Sequence, residues 1–438
     1  MRQGAGAVAI RLISAALGFL LVFVLARWMK TDEFGYFGYA FSMATTLSTV
    51  LDLGQRRLIM RSMAAYRERG RVDLMRGALR FSLGVTLAAA ILSAAAVALG
   101  TLAFDAHPSL YPAAVLTAAM ILSEFQANML RGLGNLYGSL LPREVLWRPM
   151  ALGLMAILGG GLSIVTDAVT AMWFLAVVLL SLSLFQLLLL ARPHWRKATQ
   201  RLLEMQKDDP QADETVQQAS AGWRASSLRL WMVTALNAGI TPASVVIVGL
   251  FVAPAETGAF FAAVRVATII AFPLQGLNLL TGPMLARSYA AGDMARLQQV
   301  ASFTAASSSA AAIVGAVFLA IFGKQVLALM DPAFATSAFT QLVIMAGFVI
   351  GALCGSSGQL MNMTGHDREF LRILAVFNTL GIAGLIYLAW AFGGIGAAWG
   401  LLAVKAGWNI AVSVWARRHL GIDPSVAALI FPPKGAAR

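Results

Sequence analysis

The sequence predicts an all-α integral membrane protein, with twelve transmembrane helices in two six-helix, pseudo-symmetric halves around a central cleft. Three observations carry that expectation. Of 438 residues, 59% are hydrophobic and only 12% charged, with a mean hydropathy of +0.75. A soluble domain carries roughly 25% charged residues, so most of this chain is built to avoid water. Apolar runs long enough to cross about 30 Å of hydrocarbon recur along its whole length. A stretch near the amino terminus also returns, in register, in the second half.

The apolar runs place spans at 5–26, 36–57, 78–99, 110–130, 148–164, 168–190, 228–251, 258–286, 300–322, 336–361, 371–391 and 396–416. The first ends in Arg27 and Trp28 and is read as a mature helix, not a cleaved signal. The fifth is short. The eighth is long enough to need tilt, or the kink that Pro273 offers. These spans divide the chain into an amino-terminal half at 1–191, a linker at 192–227, a carboxy-terminal half at 228–416 and a tail at 417–438. The linker opens with Trp195, Leu202, Leu203 and Met205 among cations, a pattern expected of a short helix on the membrane surface. From Lys207 onward it reads as a flexible tether.

Lys and Arg then set the orientation. Of the 33 cations, Arg11, Arg265 and Lys405 fall inside spans, and Arg27, Lys30 and Lys324 fall on one side. All the others, including the run of arginines from Arg56 to Arg80, fall on the opposite side. That asymmetry assigns both termini to the cytoplasm. It also explains the net charge of +13 as topology, touching anionic lipid headgroups and not nucleic acid. The one cysteine, Cys354, lies within a span, so no disulfide framework exists.

The internal repeat pairs residues 31–66 with residues 254–289. Glu33/Glu256, Gly35/Gly258, Phe37/Phe260, Ala40/Ala263, Ala44/Ala267, Thr45/Thr268, Leu51/Leu274 and Tyr66/Tyr289 coincide. Few identities are involved, but each segment is the second span of a set of six. Two six-span copies in one orientation are the layout of a transporter.

Charges inside spans are the candidate functional groups. Each in-span cation costs about 2.5–3.5 kcal/mol at a helix centre unless it faces water or a partner. Arg11 lies near the cytoplasmic end of its span and snorkelling would serve it as well as a ligand; Arg265 is deeper, and Lys405 is near mid-span. Two carboxylates accompany them. Asp52 stands four residues before Arg56, where an i,i+4 pair can form. Glu124 has Asn128 one turn on and no cation nearby in sequence, so it is either paired across the fold or an ion-coupling group. Thr268, Gln275 and Asn278 join Arg265 on the eighth span. Asn237 precedes a Gly239/Pro242 break in the seventh, and Gln126, Gln359 and Asn362 lie on the fourth and tenth. Each of these is as well explained by helix–helix hydrogen bonding. Catalytic patterns are missing: there is no Walker A loop, the four histidines are scattered, and GGIGAAWG near 393 lacks dinucleotide spacing. No enzyme and no bound cofactor or metal is expected, only a proton or sodium gradient as energy source.

Several segments resemble the Wzx-like polysaccharide flippases of the multidrug/oligosaccharidyl-lipid/polysaccharide (MOP) exporter superfamily. They are LARWMKTDEFGYFGYAFSMATTLSTVLDLG at 25–54 with RRLIMRSMAAY at 56–66, and GAFFAAVRVATIIAFPLQGLNLLTGPMLARSYAAGDMARL at 258–297. MLRGLGN at 129–135 and LMNMTGHDRE at 360–369 are looser equivalents. The resemblance implies a flippase for a polyprenyl-pyrophosphate-linked oligosaccharide, working by alternating access beside a polysaccharide polymerase and its chain-length machinery. In the related lipid II flippases, arginines of the first, second and eighth helices hold the pyrophosphate, and Arg11, Arg56 and Arg265 fall in the corresponding spans. Lys405, Gln275 and Asn278 complete the expected substrate set, with Glu124 and Asp52 as the expected ion-coupling pair. Twelve spans in place of fourteen set this chain apart from lipid II flippases. An ion-coupled drug exporter of the same superfamily is the alternative, though a cationic drug suits acidic cavities. A membrane polymerase or ligase is a third reading, opposed by outer loops of only about a dozen residues.

The orientation is open to a labelling experiment. Cysteines at Ala103 and Pro254 should react with a membrane-impermeant thiol reagent added to intact cells, and one at Ala212 should not. Labelling at Ala212 would overturn both the orientation and the span count.

Overall fold

The computed structural model describes residues 2–158, 167–205 and 216–431, and among them every regular element is helical. The tether expected from Lys207, the end of the fifth span and the last residues of the tail fall outside the described residues. The first half comprises α1 (Arg2–Trp28), α2 (Thr31–Val50), α3 (Gln55–Glu68), α4 (Val72–Ala103), α5 (Leu110–Gly132), α6 (Leu136–Leu140), α7 (Trp147–Leu158), α8 (Ala168–Phe185) and α9 (Arg192–Met205). The second comprises α10 (Val216–Ala238), α11 (Ile240–Gly249), α12 (Pro254–Thr268), α13 (Phe272–Ala290), α14 (Met294–Met330), α15 (Ala338–Leu353), α16 (Ser357–Met363) and α17 (Asp367–His419).

Among the described residues each expected span falls largely in helix, the fifth being described only to Leu158. Seven described helical runs are individually long and apolar enough to cross a membrane, eight if α10 and α11 form one broken span. The breaks have identifiable causes. The eighth span runs as α12, a single 3₁₀ turn at Ile269–Ala271, and α13, because Pro273 near the start of α13 has no N–H to continue the ladder. The seventh is interrupted at Gly239. The eleventh and twelfth share α17, which reverses at Gly393 (φ 60°, ψ −144°), a conformation that only glycine adopts freely. The reversal is visible in the seam. A Cβ on Gly400 would lie 2.9 Å from Leu385 Cα, one on Gly381 2.0 Å from Val404 Cγ2, and one on Gly407 2.6 Å from the Phe377 ring. Residues on either side of Gly393 therefore pack as an antiparallel helical hairpin. The basic segment after the sixth span differs from expectation. It continues that span, through a π-helical turn at Gln186–Ala191, as one helical run from Ala168 to Gln200.

Packing divides the chain into two compact units. One holds residues 1–39 and 243–438, the other residues 40–242. In sequence terms the first span is grouped with the later helices, while α10 is grouped with the earlier ones.

In the unit of residues 1–39 and 243–438, the start of α2 lies directly on the start of α12. A Cβ on Gly35 would sit 1.8 Å from the Pro254 carbonyl oxygen, and one on Gly258 3.0 Å from the Gly35 nitrogen. Gly35 and Gly258 are equivalent positions of the repeat, so the two copies of the motif meet at their own matching glycines. Phe34, Phe37, Phe261 and Phe334, all fully buried, close around the contact with ring centroids 5.3–6.2 Å apart. Thr31 Oγ1 donates to Asp331 Oδ2 at 2.7 Å, tying α2 to the end of α14.

In the unit of residues 40–242, the core joins Ile59 and Met63 of α3, Leu74 and Met75 of α4, Leu130 of α5 and Trp223 of α10. A Cβ on Gly132 would lie 2.6 Å from Met63 Cβ, so α3 and α5 are also in near-backbone contact. Similar turns follow the two copies, one residue out of the 31–66/254–289 register. Arg71 N bonds to Tyr66 O and Asp293 N to Ser288 O, each at 3.0 Å, and Val72 N–Gly70 O is matched by Met294 N–Gly292 O. Asn135 N–Leu130 O (2.9 Å) is likewise matched by His366 N–Met361 O (3.0 Å), the two segments read as loose equivalents.

Adding one methyl group at Gly35 should therefore be costly. Gly35→Ala should lower the melting temperature of the detergent-purified protein, with a loss of about 1–3 kcal/mol typical of overpacking. Gly84→Ala, where nothing lies within 4 Å, should leave it unchanged or raise it. Equal melting of Gly35→Ala and wild type would contradict the glycine contact.

Candidate functional site

Among the described residues, charges within the expected spans or at their ends gather in two places, one in each unit. In the unit of residues 40–242 the charge sits at the break after α2. Leu53 (φ 50°) and Gly54 (φ 75°) turn the chain between α2 and α3. The turn is bonded to α10: Ser227 Oγ donates to Leu53 O at 2.6 Å, Gln55 Nε2 donates to Ser227 Oγ at 2.6 Å, and Trp231 Nε1 donates to Val50 O. Asp52, at the mouth of this turn, accepts from the Arg56 backbone N–H and from Arg56 Nε, both at 3.2 Å. The i,i+4 pair expected from spacing is present.

Arg56 reaches further. Its Nη1 lies 3.4 Å from Glu124 Oε1 on α5, and the same oxygen accepts from Arg143 Nη1. Arg143 is carried by a π-helical turn at Leu141–Leu146 that begins around Pro142. Such one-residue expansions redirect side chains and are frequent at functional sites. Asn128 Nδ2 donates to Glu124 Oε2 at 3.2 Å, and Arg131 contacts Asn128 Oδ1 (3.5 Å) and Ser139 Oγ (3.3 Å). Two carboxylates thus face three guanidiniums inside one network. Glu124 Oε1 is shared by Arg56 and Arg143, and Arg56 is committed to two carboxylates. Arg143 was not foreseen because it lies 19 residues from Glu124 in sequence, beyond any helical spacing.

In the unit of residues 1–39 and 243–438 the cations rest on aromatic rings. The Arg265 guanidinium lies 4.8 Å from the centroid of Phe261, four residues earlier on α12. Lys405 Nζ lies 5.3 Å from the Phe348 ring of α15. Gly347 makes that approach possible, since a Cβ there would lie 3.3 Å from Lys405 Cβ. Lys405 is half-buried, and among the described residues no carboxylate pairs with it. A desolvated ammonium over a π-face keeps some stabilisation of its charge while its N–H donors stay open to a ligand. Asn278 Oδ1 is buried without a hydrogen bond, and Gln275 is exposed. Thr268 Oγ1 bonds within its own helix to Val264 O at 2.6 Å, and Gln359 fills the space beside Gly282, so these two serve packing. Of the eight expected site residues, Asp52, Arg56 and Glu124 are brought together; Arg265, Lys405, Gln275 and Asn278 belong to the other unit; the Arg11 side chain lies outside the described residues.

The sequence pattern of a family described as "Polysaccharide biosynthesis protein" matches residues 4–287. The chain belongs to the polysaccharide biosynthesis protein family. This is the family expected from the segments at 25–66 and 258–297. Solved structures give the fold. An inward-facing multidrug resistance MATE family transporter of the MOP superfamily is 16% identical, with 97% of this chain covering 99% of that one at a TM-score of 0.68. An outward-facing MATE family transporter matches at 17% identity, 98% and 96% coverage and a TM-score of 0.63. A third match is a MOP superfamily transporter from Pyrococcus furiosus Vc1 (DSM3638), described as having reversed binding-pocket polarity that suggests a different function. It is 17% identical over 97% and 96% of the chains, with a TM-score of 0.63. No curated protein sequence matches the chain.

The Glu124 network generates a stability prediction for this family member. Glu124→Gln leaves Arg56 and Arg143 facing each other with half their counter-charge removed, and breaking a buried pair costs about 3–5 kcal/mol. The variant should melt well below wild type, and Arg143→Gln in the same chain should recover part of the loss. A Glu124→Gln protein of wild-type stability, whose transport no longer responds to an imposed ion gradient, would instead make Glu124 a coupling residue.

Proposed function

We propose that this protein is a flippase that moves a polyprenyl-pyrophosphate-linked oligosaccharide across the bacterial cytoplasmic membrane for surface polysaccharide assembly. Family membership and the MOP transporter fold support a membrane transporter. The observation that carries the substrate class is Lys405: a cation kept near mid-span, over an aromatic ring, with no described carboxylate to neutralise it. A pyrophosphate is a ligand that such a site is built to take. Arg265, also seated on a ring, and Asn278, with its buried open oxygen, extend the polar surface, and Gln275 and Arg11 are further candidates. Arg56, held by Asp52 and Glu124, serves the internal network and not the ligand.

In this reading the pyrophosphate binds the cations while the polyprenyl tail stays in lipid, and the protein exposes the site alternately to the two sides. Both termini lie in the cytoplasm, and a proton or sodium gradient supplies energy. A polysaccharide polymerase and its chain-length partner use the delivered unit. The competing reading is an ion-coupled exporter of small molecules, favoured by the shared fold with multidrug MATE transporters. The two differ in the charge they need at Lys405.

Arg265→Ala and Lys405→Ala should each lose flipping of a lipid-linked oligosaccharide in proteoliposomes while inserting and melting like wild type. Lys405→Gln should fail equally, and Lys405→Arg should keep much of the activity. If both alanine variants flip the substrate at the wild-type rate, or if the wild type instead moves cationic drugs, the proposal is wrong.

A further inference from the structure

We propose that the groove formed by Leu188, Arg192, Pro193, Arg196 and Lys197 is a binding site for the phosphate of an anionic membrane phospholipid. It lies at the end of the sixth span remote from Asp167. The site does not depend on the transported substrate. Its volume is about 410 Å³, enough for a phosphate headgroup.

Depth along the helix places it. Asp167 caps α8 by accepting from Thr170 N at 2.8 Å, and helix then continues unbroken to Gln200. At about 1.5 Å per residue that run is roughly 50 Å long, against roughly 30 Å of hydrocarbon and 40–45 Å including headgroups. Leu188 falls about 30 Å along, at the edge of the hydrocarbon, and is exposed. Arg192, Arg196 and Lys197 lie one to two turns beyond, at headgroup level, and all three are exposed. The groove therefore offers an apolar wall where acyl chains begin and three cations where phosphates lie. Among the described residues no carboxylate pairs with any of the three.

The opposite face of the same segment is fixed. Ala191 is fully buried in the core, and Trp195 and Ala198 pack against it. His194 is held on both ring nitrogens, by Leu190 O and by Asn135 Nδ2, each at 2.8 Å. Gln186, at the start of the π-helical turn, donates to Gly138 O at 2.9 Å. The cations project from a clamped helix, so little ordering of the backbone accompanies binding.

The test compares wild type, R192Q/R196Q/K197Q, R196E and the charge-retaining R192K/R196K, purified in detergent. Each is titrated with phosphatidylglycerol or phosphatidylcholine and read by native mass spectrometry and by melting temperature. A separate arm adds inorganic phosphate alone. Wild type and R192K/R196K should retain phosphatidylglycerol in preference to phosphatidylcholine. The triple variant should bind it roughly 100-fold more weakly, as expected for three interfacial cations, and R196E should also weaken it. Because the three side chains are exposed, all variants should melt like wild type before lipid is added. Equal retention of phosphatidylglycerol by wild type and by either neutralised or reversed variant would overturn the proposal. So would an absence of preference over phosphatidylcholine, or protection by inorganic phosphate as strong as by the lipid, which would mark a soluble-phosphate site.

Discussion

The contact between Gly35 and Gly258 governs the geometry of the unit that contains both aromatic-seated cations. Helices inside lipid gain little from hydrophobic association, so close backbone approach and good packing must hold them. Two glycines at matching repeat positions allow that approach, and the rings of Phe34, Phe37, Phe261 and Phe334 seal it. The position of α12 follows. Two turns beyond Gly258 it presents Arg265, with Phe261 beneath the guanidinium. Two residues before Gly258, Glu256 Oε1 accepts the Gly394 N–H at 2.8 Å, which anchors the reversal in α17. Three turns past that anchor stands Lys405. Both cations are thus placed by one glycine pair, through one helix and one carboxylate.

The other unit organises itself around charge. Asp52, Arg56, Glu124 and Arg143 come from the end of α2, the start of α3, the middle of α5 and a π-helical turn. Ion pairs are poor substitutes for apolar packing in net energy, but they fix geometry. Here they lock a helix break to a continuous helix. In the later half the tenth span instead breaks between α15 and α16 at Gly355, where the Pro424 carbonyl presses in. The two copies share turns and span order yet differ at this level: one uses a carboxylate in an unbroken helix, the other a glycine in a bent one.

Much of this was legible from the residues. Hydropathy gave the spans, since each reports only the length of an apolar run. The repeat pointed to Gly35 and Gly258, although not to their meeting, because sequence register says nothing of which helices touch. The Asp52–Arg56 pair was readable from i,i+4 spacing, and the Arg265–Phe261 pair has the same spacing and could have been found that way. Arg143 beside Glu124 and Phe348 beside Lys405 were not readable, for each joins separate helices. The helix on the membrane surface expected after the sixth span was read from amphipathicity alone, which cannot distinguish a reclining segment from an extension of the preceding helix.

The hairpin of α17 bears on how such a chain assembles. Its seam joins Leu385 to Gly400, Val404 to Gly381 and Phe377 to Gly407, partners no more than about thirty residues apart. Closing so short a loop costs little chain entropy. The final two spans can therefore associate as soon as both have left the ribosome, without waiting for any earlier helix. They can enter the bilayer as one paired unit, and Lys405 meets the Phe348 ring when that hairpin docks on α15.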